Sequence, residues 1–184
     1  MRAAIESPGQ TGVRGEDSIR LDRQQALDNH SMISAIAFGL HALSAVIWVG
    51  GMFFAYQILR PVAAAQLEPP LRLRLWAGVF SRFFPWVWLI VIVLPVSGYL
   101  IVFGLLGGLD NLSIHIQLMQ ALGWLMILLY LHLYFAPYPR LKEAIVTENW
   151  SEAAKQLARI RRIIGINLGL GVIVVATATA GRFV

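Results

Sequence analysis

Four stretches of the chain carry no Asp, Glu, Lys or Arg: residues 29–59, 83–109, 111–139 and 163–181. Each reaches the ~17–25 residues that an α-helix needs to cross the hydrocarbon of a bilayer. The pattern predicts an all-α fold, an integral membrane four-helix bundle, with crossings over about 32–59, 83–107, 113–137 and 163–182. Residues 1–28 are polar, with SPGQTG and GEDS segments that offer little to a core, and read as a flexible tail ahead of a membrane domain over 29–184. Pro61 is expected to end the first helix. The segment LRLRLWAGVFSRFF, residues 71–84, mixes arginines with Leu, Trp and Phe and predicts a short interfacial helix feeding the second crossing. Pro85 and Pro95 lie within that crossing, where proline frees a carbonyl about one turn earlier. Ser151, followed by Glu152, is expected to cap a helix that runs without a break into the fourth crossing. Asn167 within that crossing predicts an interhelical hydrogen bond.

Composition agrees with this reading: of 184 residues, 58% are hydrophobic and 14% charged, against roughly 25% charged in soluble domains, and the mean hydropathy is +0.66. The net charge of +5 and pI near 10.1 do not point to nucleic acid, because the basic residues track the ends of the crossings and form no patch with interleaved aromatics. Arg60, Arg72, Arg74 and Arg82 follow the first crossing; Arg140, Lys142, Lys155, Arg159, Arg161 and Arg162 follow the third. The turn between the second and third holds only Asp110, and the first 28 residues balance four arginines with five acids. By the positive-inside rule, both basic connections face the cytoplasm and both termini the outer, periplasmic side. The chain has no cysteine, which excludes disulfides, thiolate copper sites, iron–sulfur clusters and covalently attached haem. Any metal or cofactor falls to His, Met, Tyr or carboxylate.

The residue that calls for explanation is His41. It shares one helical stripe with Ser44, Ala45, Trp48, Met52 and Ala55, so an imidazole is placed inside an apolar crossing, where it should be neutral, inward-facing and bonded. Gly50 and Gly51 follow Trp48 and permit close approach of a helix or a flat ligand. Tyr99 lies in PVSGY of the second crossing. His115 opens the third crossing with Met119 one turn below, and His132 lies near its inner end, roughly 25 Å from His115 along the axis. Trp86, Trp88, Tyr130, Tyr134 and Tyr138 fit an inner aromatic belt, and His30 an outer interfacial position. Three chemistries suit this set. Two histidines from different helices can bracket a haem iron; histidine with methionine suits copper; or each histidine is a satisfied core residue bonded to a carbonyl.

The runs HALSAVIWVGGMFFAYQILRP, PVSGYLIVFG and HIQLMQALGWLMILLYLHLYF, with a basic helix before the last crossing, resemble the copper-resistance-D-like (CopD) superfamily of bacterial membrane proteins. More distantly they are similar to the HemJ type of protoporphyrinogen oxidase. The resemblance runs from about Ser31 to the C-terminus and implies a bacterial inner membrane location. The HemJ-type pattern implies haem b with a first-crossing histidine, which falls on His41, and a lysine shortly after the third-crossing histidine, where this chain has Gln117. The copper-resistance relatives imply copper handling, although no methionine ladder is present. The leading expectation is a haem b electron-transfer or oxidoreductase protein ligated by His41 and His115, with Met119 or His132 as substitutes and Trp48, Gly50, Gly51 and Tyr99 shaping the pocket. A quinone or redox partner protein would then exchange electrons with it. The alternatives are a copper-binding or copper-transporting protein, and a scaffold subunit of a larger membrane complex or homo-oligomer.

Overall fold

The computed structural model describes residues 10–109 and 112–181. Residues 1–9, the turn residue Asp110 and the end of the fourth crossing at 182 lie outside that description. Among the described residues there are helices and turns and no strand: α1 Gln10–Phe53, a π-helical turn Phe54–Leu59, α2 Arg60–Gln66, α3 Pro69–Leu105, α4 Ile114–Phe135, α5 Pro137–Val146 and α6 Trp150–Ala180. Among the described residues four helical stretches are long and apolar enough to cross a membrane: Arg20–Gln66, Pro69–Leu105, Ile114–Val146 and Trp150–Ala180. The chain is therefore a four-crossing, all-helical membrane protein.

Residues 10–28, read from sequence as tail, continue α1 as helix. No proline follows Pro8 until Pro61, and residues 20–27, RLDRQQAL, are mostly Arg, Gln, Leu and Ala, which favour helix. From residue 20 to 33 every residue is exposed. Pro61 does not end the first helix. The missing N–H is absorbed by the π turn just before it, in which the Arg60 N–H reaches back to the Ala55 carbonyl, and the helix resumes as α2. Residues 71–84 likewise form no helix of their own but the opening turns of α3, with Leu73, Trp76, Phe80 and Phe84 buried on one face. The short helices are α2 and α5. α3 stops at Gly107 and Gly108, whose φ of +75° and +107° suits glycine.

α1 packs chiefly on α3, whereas α4 and α5 pack chiefly on α6. The side chains seal the bundle across its middle. The Asn167 amide donates to the Met126 carbonyl (3.2 Å), which is the expected interhelical bond, and Trp48 of α1 meets Tyr130 of α4 edge-on. At one end Phe80 and Phe84 stack 5.2 Å apart and are ringed by Tyr130, Tyr134 and Tyr138. Against lipid there is little hydrophobic gain, so such interlocked packing and the few buried polar bonds hold the helices together. The many exposed apolar side chains, Leu128, Phe135 and Ile166 among them, are what a lipid-facing surface requires.

The N-terminal cap of α6 is Asn149 and not Ser151: its side chain accepts the Glu152 N–H at 3.1 Å. Ser151 stands one residue inside the helix, past the position whose side chain can reach the free N–H groups. Asn149→Ala is expected to lower the unfolding free energy in detergent by about 1 kcal/mol, while Ser151→Ala changes it by less than half of that.

Candidate functional site

The antiparallel pairing of α1 and α3 sets the position of His41. Along this seam three small residues let the helices approach: Gly104 lies against the Ser34 hydroxyl, Gly98 against the His41 ring, and Gly51 against the Phe83 ring. A Cβ at Gly98 would lie 3.3 Å from His41 Cε1, so the imidazole rests against a bare stretch of α3. There Nδ1 donates to the Leu94 carbonyl and to Ser97 Oγ, both at 3.0 Å, and the Ser97 hydroxyl donates in turn to the Val93 carbonyl at 2.6 Å. A carbonyl has no proton to give, so the ring proton belongs to Nδ1. Nε2 then carries the lone pair, and it makes no hydrogen bond to the described residues. A neutral, oriented imidazole with its second nitrogen held by a main-chain oxygen is the arrangement metal-ligating histidines use. It is also the arrangement of a satisfied core histidine, and the free Nε2 is what separates the two.

The other residues picked out by sequence divide by location. His115 is half-buried at the same end of the bundle as His41, but it packs on Gly181 at the close of α6, with Nε2 3.3 Å from the Ser113 hydroxyl. Tyr99, next to Gly98, accepts from Gln120 Nε2 at 2.7 Å. That bond places Gln120, with Met119 beside it, at the depth of His41, and His115 about one and a half turns nearer the end. Met119 is half-buried. Gln117 donates to the Leu112 carbonyl at 2.8 Å and so serves the start of α4. Trp48 is buried against Tyr130, the open face of Gly51 is covered by Phe83, and Gly50 has open space around it. His132 is remote from all of these. It is exposed at the opposite end of α4, in a groove with Arg140, Arg159 and Arg162. Among the described residues no three His, Cys, Asp or Glu side chains come together to hold a metal ion.

Ser97 and Gly98 enter the sequence reading only within the PVSGY run around Tyr99. Their role was missed because it needs the register of α1 on α3. The available signal was a serine and a glycine in the turn after Pro95, the composition that lets another helix come close.

A family model described as Copper resistance protein D matches residues 77–180, which takes in most of α3 and all of α4, α5 and α6 and leaves His41 outside. No curated protein and no solved structure matches the chain.

Proposed function

We propose that this chain, which belongs to the copper resistance protein D family, binds copper within the membrane as its cargo, with His41 Nε2 as the first ligand. The observation that carries this reading is the clasp on the other side of the ring: Leu94 and Ser97 occupy Nδ1 and leave Nε2 as a fixed, unshared donor. Met119, at a similar depth, and His115, at the same end, are the further donors proposed. With no cysteine in the chain and no carboxylate cluster among the described residues, the available set is one or two imidazoles and a thioether, which suits Cu(I) and disfavours hard ions. Few donors at one site also suit a metal that is passed on. Under the positive-inside rule the arginine-rich end faces the cytoplasm of a bacterial cell, which places the His41 end and both chain termini on the outer side of the inner membrane.

Haem b is the weaker reading of the same histidine. A porphyrin between His41 and His115 would need an open face along α1. The positions that would make one, Trp48 and Gly51, are instead covered by Tyr130 and Phe83. The test is a Cu(I) titration of the detergent-solubilised protein against a competing chelator, with optical spectra of the oxidised and reduced protein as purified. One tightly held Cu(I) per chain is expected. No copper retention overturns the proposal, and a Soret band that His41→Ala removes would assign the histidine to haem.

A further inference from the structure

Ten of the fifteen Lys and Arg residues, but only four of the ten acids, belong to the end of the bundle away from His41. Most are scattered; one group is not. The chain breaks at Ala136, where α4 stops and α5 starts at Pro137, and the bend opens a groove of about 270 Å³ against α6. That is far above the ~10–15 Å³ a single water needs. His132 and Arg140 line one wall, Arg159 and Arg162 the other. Arg159 and Arg162 are three residues apart and so share a helix face.

Three arginines line this groove, and none of the lining residues is a carboxylate. The ion pairs among the described residues are Arg74–Glu148 and Lys155–Glu152, and neither involves these arginines. The C-terminus of α4 contributes only about half a negative charge, and the N-terminus of α5 begins one residue beyond it, so helix ends do not balance the cluster. Planar five-donor forks set around a space match an oxyanion with several acceptor oxygens, and arginine is the residue suited to phosphate. The groove also borders the apolar surface. Leu128 lies one turn from His132 and Ile166 one turn from Arg162, both exposed and both toward the middle of the crossing. A phosphate seated among the arginines would have room for acyl chains along those two side chains.

We infer that the groove formed by His132, Arg140, Arg159 and Arg162 is a seat for a phosphate oxyanion, filled in the membrane by the headgroup of an anionic phospholipid. Basic pockets between crossing helices at the cytoplasmic surface bind such headgroups, at a strength set by each Lys or Arg. The inference is independent of copper binding.

The experiment titrates short-chain phosphatidylglycerol, short-chain phosphatidylcholine and inorganic phosphate, at matched ionic strength, into the solubilised full chain. The variants are Arg140→Gln, the pair Arg159→Gln/Arg162→Gln, and Lys155→Gln as a control at the same end outside the groove. Circular dichroism of each variant checks folding, and Arg140→Gln, on a separate helix, keeps the test alive if the pair misfolds. Phosphatidylglycerol binding should weaken about fivefold per arginine removed and stay unchanged in the control. Inorganic phosphate binding with the same arginine dependence would support the oxyanion site and assign it to the free ion. Equal losses in Lys155→Gln, no loss in the arginine variants, or equal binding of phosphatidylcholine would overturn it.

Discussion

His41→Ala is expected to lower Cu(I) affinity by at least a hundredfold, and Ser97→Ala by about tenfold. The two numbers follow from what each change removes. Alanine at 41 deletes the donor nitrogen, so its effect should meet or exceed the upper end of the ~10–100-fold range for substitutions of outer-shell partners. Alanine at 97 leaves the imidazole in place with Nδ1 still donating to the Leu94 carbonyl, and takes away only one of the two bonds that fix the ring plane. The fold should tolerate both. Side-chain hydrogen bonds between membrane helices average roughly 0.6 kcal/mol, so losing the two made by His41 costs about 1 kcal/mol. Copper titrations can therefore be read on folded protein, and circular dichroism verifies this. Wild-type affinity in His41→Ala would reduce the histidine to a packing residue bonded to α3. A loss in Ser97→Ala equal to that in His41→Ala would show that ring orientation and not the nitrogen limits binding.

The architecture was legible because membrane crossing is written in a one-dimensional signal. A run without charge must be helical in hydrocarbon, whatever its partners, since only a helix satisfies its own backbone there. Details that depend on a second segment were not legible. Pro61 reads as a helix end until the π turn before it is seen to absorb the missing N–H. Ser151 and Asn149 are both good caps, and only the backbone chooses between them. The sequence marked His41 as the residue to explain and suggested a partner on α4, because Met119 stands there at a comparable depth with His115 one turn beyond it. The ring takes its hydrogen bonds from α3, where Leu94, Ser97 and Gly98 provide a carbonyl, a hydroxyl and a bare surface. Arg159 and Arg162 were visible as a pair. Their convergence with Arg140 and His132 depends on the bend at Ala136, whose φ of −109° and ψ of −75° no local rule anticipates.

Phe84→Ala should destabilise the bundle by about 3 kcal/mol, at the lower end of the ~3–5 kcal/mol usual for a buried phenylalanine. The lower end applies because lipid is as apolar as the core, so the transfer part of the cost shrinks and the cavity part remains. That part is large at this position. Phe84 is 4% exposed, stacks on Phe80 and makes edge contacts with Tyr130, Tyr134 and Tyr138, at centroid distances from 4.7 to 5.9 Å. The rings come from three helices, α3, α4 and α5, so no single side chain can move in to fill the gap. Trp86, two residues along the same helix, is 58% exposed, and its truncation should cost less than about 0.5 kcal/mol. Unfolding in detergent micelles of rising sodium dodecyl sulfate content, followed by near-ultraviolet circular dichroism, measures the difference. Equal midpoints for the two variants would mean the aromatic cluster is not what joins α3 to α4 and α5. Because the cluster lies at the end of the bundle away from His41, the folded fraction of Phe84→Ala should bind copper with wild-type affinity, which makes stability and ligation separable properties of opposite ends of one bundle.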